Sequence, residues 1–217
     1  LRKRIERVKF LMVNTDSVTF MMKKSQKGEL RQIYLKLKEI IPNLRFKIKS
    51  YDKIYIKDIN NYIGKSSDKI IAKGIFDYNL DIMKDNSARV IPMAVKQYLF
   101  DNIDIDDSID AATLMDFAFK AKINEGRLYY YCVEPGVGTS QTLIQNPSRY
   151  VYTRDYKKSG KIISKKNNLN NSITDIYPAT IFNTYGLNAD DINVMYYRTA
   201  IEDILGDFQY SNGTLKF

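Results

Sequence analysis

Apolar positions recur along the chain in distinct rhythms. Residues 8–13 and 18–22 are mostly apolar runs, and Asn14, Thr15, Asp16 and Ser17 between them are turn formers, which predicts a β-hairpin. Leu30, Ile33, Tyr34, Leu37, Ile40 and Ile41 fall at spacings of three and four ahead of Pro42, so residues 28–41 predict an amphipathic helix that the proline stops. Leu44, Phe46 and Ile48 then alternate with Arg45, Lys47 and Lys49, and apolar runs at 54–56 and 70–72 lie either side of a Ser66-Ser67-Asp68 turn. Such patterns predict strands through residues 44–76. A β-β-α-β-β order implies a mostly antiparallel sheet backed by the helix.

The rhythm changes near Phe76. Ala88, Ile91, Val95 and Leu99 have helical spacing, and residues 106–122 begin with acids and end in Lys120 and Lys122, as the helix dipole favours. Residues 77–125 therefore predict a helical pair. A strand at 128–133, a Gly/Pro/Ser/Thr connection at 135–142, and a hairpin of 149–153 with 161–164 follow. Asn188, Ala189, Asp190 and Asp191 supply capping groups for a last helix at 195–205. The fold class is α+β.

Composition narrows the chemistry. The 217 residues are 44% hydrophobic and 27% charged, a globular composition for one ordinary domain or two small ones. No apolar run approaches the ~20 residues of a spanning helix, and no signal-like stretch opens the chain, so the expectation is a soluble, cytoplasmic protein without a membrane. A single cysteine, Cys132, and no histidine exclude an internal disulfide, Cys-rich zinc sites and most triads. Catalysis falls to carboxylates, oxygen-bound metals, lysines or hydroxyls.

The net charge of +9 is unevenly placed. Residues 1–76 hold 19 Lys and Arg against 7 Asp and Glu, residues 77–120 hold 4 against 9, and residues 121–217 hold 11 against 9. Lysines interleaved with tyrosines in the first segment suit a polyanion, because phosphate binding is mainly cation matching with release of counterions. A solvated basic surface is the plainer alternative.

Asp16 stands out as a carboxylate between two apolar strands, where a rigid backbone can hold it beside phosphates and a divalent cation. Turn chemistry alone also explains it. Residues 13–18, Val-Asn-Thr-Asp-Ser-Val, resemble motif C of family B DNA polymerases. Asn61-Tyr62-Ile63-Gly64 with Lys73-Gly74 resembles that family's Lys-x-Tyr segment and the Lys-Gly that follows it. Lys84-Asp85-Asn86-Ser87 with residues 90–95 and Tyr98, and Gln145-Asn146-Pro147-Ser148-Arg149-Tyr150-Val151 with Gly160-Lys161, are similar to segments of bacteriophage members. The resemblance runs from about residue 8 to about 205.

The resemblance implies an antiparallel palm-type sheet with a backing helix over residues 1–76 and a mainly helical thumb carrying a β-hairpin over 77–217. It implies Asp16 as the catalytic metal ligand, with Thr15, Ser17, Asn61, Tyr62, Lys65, Lys69, Lys73, Arg149, Lys157, Lys158 and Lys161 on DNA. Cofactors would be two Mg²⁺ (or Mn²⁺) ions, and partners primer-template DNA and deoxynucleotide triphosphates, in phage replication within host cytoplasm. Asn14 departs from the family, which commonly has an aspartate there. Motifs A and B are also missing ahead of Val8, so a second chain or a missing N-terminal region would supply them, and this chain alone would not polymerise. A non-catalytic DNA-binding module that keeps the scaffold is the alternative, and an interaction protein using its basic face is a third reading.

Three further clusters have plainer readings. Residues 135–140 lack the Gly-Lys-Ser/Thr ending of a phosphate loop, and Asp104, Asp106, Asp107 and Asp110 lack an EF-hand's glycine and closing glutamate. Helix N-terminal charge accounts for those acids. Tyr129, Tyr130 and Tyr131 would alternate across a strand, so at least one enters the core and the remainder are available for stacking.

Overall fold

Thirteen strands and four α-helices make up the regular structure among the described residues of the computed structural model. These are residues 8–14, 17–43, 45, 47–67, 69–78, 87–134, 136, 138–154, 160–167, 169–174, 178–182 and 187–211. The architecture is α+β with antiparallel sheets, in two compact units: residues 1–74 with 208–217, and residues 75–207. Each is described by itself.

In the first unit β1 (Lys9–Asn14) and β2 (Ser17–Met21) form the expected hairpin, with Val13 opposite Val18 and Asn14 opposite Ser17. Phe10 meets Phe20 edge-on, ring centres 6.4 Å apart, and no described residue of either strand is buried. Helix α1 (Lys27–Ile40) matches the period of three and four. A separate four-stranded sheet follows, in which β3 (Lys53–Ile56), β4 (Tyr62–Ser66) and β5 (Lys69–Lys73) pair in sequence and the C-terminal strand Tyr210–Ser211 joins the free edge of β3. Ser67 turns the β4–β5 connection at φ 51°, and its N–H donates to Asp52 Oδ2 at 2.8 Å. Ile54, Tyr55, Ile56 and Ile63 form the core, with Phe208 against Tyr55 at 5.5 Å between ring centres.

Two expectations for this unit need correction. The hairpin is a two-stranded sheet of its own rather than part of one palm-type sheet, and α1 buries no residue, so it backs neither sheet. An apolar stripe is buried only against a second apolar surface; here Ile40 remains 75% exposed. Residues 45 and 47–50 form no strand, although their alternation predicted one, and Leu44 and Phe46 lie outside the described residues. Alternation gives the right periodicity for a strand without supplying the pairing partner that makes one.

The second unit opens with α2 (Val90–Phe100) and α3 (Ile105–Asp110). Its strands are β6 (Phe119–Ala121), β7 (Arg127–Glu134), β8 (Gly138–Ile144), β9 (Ser148–Tyr152), β10 (Gly160–Lys166), β11 (Leu169–Ser172) and β12 (Ala179–Ile181), and α4 (Val194–Gly206) follows before the C-terminal strand, β13. The sheet runs β6-β9-β12-β10-β7-β8, with β11 also on β10. Gly160 lies opposite both Cys132 of β7 and Ala179 of β12. A Cβ there would collide with the Tyr131 carbonyl, so only glycine fits where the three strands converge.

This unit is richer in strand than the expected mainly helical segment. The predicted helix over 106–122 breaks after Asp110, where Thr113 and Asp116 cap each other and start a 3-10 turn that leads into β6. The Gly/Ser/Thr connection becomes β8, because Gly136 and Gly138, at φ 81° and 101°, give a tight return after β7. β9 and β10 do not form a hairpin with each other; β12 pairs with both and separates them. Asn193, rather than the acids at 190–191, caps α4 by accepting from the Tyr196 N–H at 3.2 Å. The acidic cluster serves α3, since Asp104 accepts from the Asp106 N–H and Arg198 donates to Asp106 at 2.7 Å.

Asp116 is only 4% exposed. Burial favours its neutral form, but donation from Thr113 Oγ1 at 2.6 Å, Thr113 N–H at 2.9 Å and Arg89 Nε at 3.0 Å outweighs that and holds its pKa below the ordinary value. A depressed folded-state pKa stabilises above the unfolded value and is lost as pH falls through the folded one. Asp116→Ala is expected to cost about 3 kcal/mol in urea unfolding at pH 7 by removing the buried carboxylate that accepts from Arg89 and Thr113. The difference from the parent protein should shrink as pH drops below about 4.

Candidate nucleic-acid interface

Strand alternation sorts the basic residues of the first unit by face. Across β3, β4 and β5 the register aligns Ile56, Tyr62 and Lys73 in one row, and Ile54, Gly64 and Ile71 in the next row on the same face. Ser66 opposite Lys69 ends that face. Tyr62, Lys69 and Lys73 therefore share one surface, the two lysines exposed and the tyrosine half-buried. Lys65, opposite Lys53 and Ile70, belongs to the other side of the sheet.

Tyr51, which the sequence patterns did not single out, completes this surface. Its ring lies over Gly64, where an added Cβ would come 2.6 Å from Tyr51 Cδ1. Burial first, then the neighbouring Tyr62 and a hydrogen bond with it, push the Tyr51 pKa up to about 12. Glycine at 64 is thus the space that lets two tyrosines sit side by side on the face that carries Lys69 and Lys73.

Asn61 has a structural task. Its Nδ2 donates to Asp58 Oδ2 at 2.7 Å, while the N–H groups of Asn60 and Asn61 donate to Asp58 Oδ1 at 2.8 and 3.0 Å. The side-chain bond from Asn61, with those backbone donors, lowers the Asp58 pKa. An aspartate followed by backbone donors two and three residues on is an Asx-type turn, a signal present in Asp58-Ile59-Asn60-Asn61. Gly74 closes the arrangement at φ 65°: a Cβ there would overlap Asn61 Oδ1 and lie 2.5 Å from the Asn60 carbonyl.

The other expected DNA-contacting residues fall elsewhere. Ser17 is exposed at the start of β2 opposite Asn14, while Thr15 and Asp16, which join the strands in sequence, lie outside the described residues. Residues 84–86 and Lys157 and Lys158 also lie outside them. Arg149 of β9 is half-buried, with Nη1 donating to the Ala118 carbonyl at 3.5 Å. Lys161 is exposed on β10 opposite Tyr131. Arg149 and Lys161 belong to the second unit, so they are a separate set from Tyr62, Lys69 and Lys73.

Among the described residues no three Asp, Glu, Cys or His side chains gather closely enough to hold a metal ion, and no helix is long and apolar enough to cross a membrane. Comparison of the chain with protein-family models, curated proteins and solved structures gives no match. The physical site is therefore a basic and aromatic sheet face in one unit and a hairpin that ends in polar residues.

Gly74→Ala is expected to destabilise the chain by about 2 kcal/mol or more, since positive φ and overlap with residues 60–61 add. Asn61→Ala should cost about 1 kcal/mol through its lost bond to Asp58. Urea unfolding measures both, and a neutral Asn61→Ala would remove its structural role.

Proposed function

We propose that the chain is the C-terminal part or a subunit of a DNA-directed DNA polymerase similar to family B, with residues 1–76 from the palm and 77–217 as thumb. The observation that supports it most is the pairing of Asn14 with Ser17, which makes Thr-Asp the sequence link between two strand ends, in the compact unit that also carries Tyr62, Lys69 and Lys73 on one face. Nucleotidyl transfer requires carboxylates that hold metal ions close to the reacting phosphates.

The described ends of the hairpin bring an amide and a hydroxyl, Asn14 and Ser17, whose oxygen chemistry suits Mg²⁺ better than a soft metal. Asp16 would hold the metal together with carboxylates from a second chain or a preceding region, since one carboxylate cannot hold two ions. Bound there, the ions would lower the pKa of the primer 3′-hydroxyl and stabilise the leaving pyrophosphate. The 3′-oxygen attacks the α-phosphorus of a deoxynucleotide triphosphate, one P–O bond forms, and the bond to pyrophosphate breaks. Asp16 acts as a ligand and not as a base. Lys69 and Lys73 would meet primer-template phosphates, and Tyr62, stiffened by Tyr51, would fix the register of the backbone. Arg149, Lys157, Lys158 and Lys161 would lie along duplex further back.

Asn14 favours a second reading, because an amide there removes one negative charge from the metal's surroundings. On that reading the chain is a non-catalytic DNA-binding module.

Primer extension by the chain mixed with the protein encoded immediately upstream, in Mg²⁺ or Mn²⁺, separates the two. Extension in the mixture that Asp16→Asn abolishes, with DNA binding nearly unchanged, is the expected result; extension retained by Asp16→Asn removes the assignment. Replacing Lys69 and Lys73 together with Gln is expected to weaken primer-template binding and flatten its salt dependence by up to ~2 units of slope. An unchanged slope in a fluorescence-anisotropy titration takes those lysines out of the interface.

A further inference from the structure

The second unit carries an open sheet face from which the polymerase reading takes only Lys161. Leu128, Tyr130 and Cys132 of β7 are buried, so the alternate residues Arg127, Tyr129 and Tyr131 point to the opposite face. On that face the register sets Lys165 opposite Arg127, Ile163 opposite Tyr129 and Lys161 opposite Tyr131. On the other flank, Leu143 lies opposite Tyr129 and Gln141 opposite Tyr131. Arg127, Lys161, Gln141 and Leu143 are exposed, and both tyrosines are half-buried.

The rings are already occupied by a cation. Lys165 Nζ lies 5.1 Å from the centre of the Tyr129 ring and 5.5 Å from that of Tyr131. It also donates to Gln141 Oε1 at 3.2 Å, as the Tyr131 hydroxyl does at 2.7 Å. Both rings are half-buried, and the lysine held over them occupies the position that a flat ligand would take by displacing it. Among the described residues no carboxylate occupies a position of this face on β7, β8, β10 or β11, while three cations do.

We propose that this face binds single-stranded DNA, with one base stacked on each of Tyr129 and Tyr131 and with Lys165 moving from the rings to a backbone phosphate. Two tyrosines two residues apart on a strand are separated by roughly 7 Å, which gives each ring its own base. Lys161 and Lys165 are about 13 Å apart by the same rise, and with Arg127 they form a cationic track beside the rings. Aromatic platforms flanked by cations favour single strands over duplex, because only unpaired bases offer their faces. The choice of DNA over RNA rests on the polymerase reading; stacking and charge matching rest on the sheet face alone.

The test is anisotropy titration of fluorescein-labelled oligothymidylate with the full 217-residue chain. Tyr129→Leu and Tyr131→Leu, checked for native circular dichroism, are each expected to weaken binding by roughly five- to a hundredfold. Lys161→Gln with Lys165→Gln, which leaves the rings in place, should flatten the salt slope by up to ~1.4 units, about 0.7 per phosphate on a single strand. An oligonucleotide containing 2-aminopurine should lose fluorescence on binding to the parent protein and not to the tyrosine variants. Unchanged affinity in folded tyrosine variants and an unchanged slope in the lysine variant would overturn the proposal. Tighter binding of oligouridylate than of oligothymidylate would overturn the choice of DNA. Failure here with Asp16-dependent extension intact removes this face alone; retained stacking without Asp16-dependent extension keeps the face and removes the polymerase reading.

Discussion

A single buried hydroxyl joins the parts of the larger unit. Tyr197 of α4 is fully buried, donates to the Phe117 carbonyl at 2.8 Å and accepts from the Tyr152 N–H at 3.0 Å. One side chain thereby satisfies a backbone acceptor ahead of β6 and a backbone donor in β9, groups that would each cost about 1–3 kcal/mol if buried without a partner. Burial pushes the Tyr197 pKa far up, so the hydroxyl keeps its proton and remains a donor at any working pH. Around it Phe119 stacks on Tyr150 and Tyr197, and Tyr196 packs on Tyr152 at 4.1 Å between ring centres. The helix is held to the sheet by ring contacts whose geometry that hydroxyl fixes.

With one face of the sheet covered in this way, the opposite face at the β7–β8 end carries the polar and cationic residues. In the smaller unit the face that carries Tyr62, Lys69 and Lys73 also holds the buried Ile54 and Ile56 of β3, so there the lysines emerge only along β5, at the edge of the sheet. In the larger unit the candidate binding residues are the alternate positions of a strand whose other residues build the core. A basic surface made in this way is stiff, since each lysine or tyrosine is rooted in a strand paired along its length.

Local patterns are legible in the sequence because they depend on near neighbours. The hairpin around Asn14 and Ser17, helices α1, α2 and α4, and the turn at Ser67 all follow from spacing and turn chemistry. Pairing partners are less legible. Nothing in Gly160 or Ala179 announces that β12 will enter between β9 and β10, because that choice is made by packing across about 20–30 residues of chain. The polar run of β8 carries no apolar alternation to mark it as a strand. For the interface, period two already implied that Lys65 and Tyr62 would part, and that Tyr130 would turn away from Tyr129 and Tyr131. Tyr51 was hidden because its partner is an absent side chain, the missing Cβ of Gly64.

The return of β13 to the edge of β3 makes the larger unit an insertion within the smaller one. During synthesis, residues 53–73 emerge and pair while the far edge of β3 still offers its unpaired amides and carbonyls. That edge is sealed only after the whole of residues 75–207 has left the ribosome. Completion of the first sheet thus waits for residues 210–211 to emerge, and a nascent chain stalled within the insertion would present a sticky strand edge to chaperones or to other copies of itself.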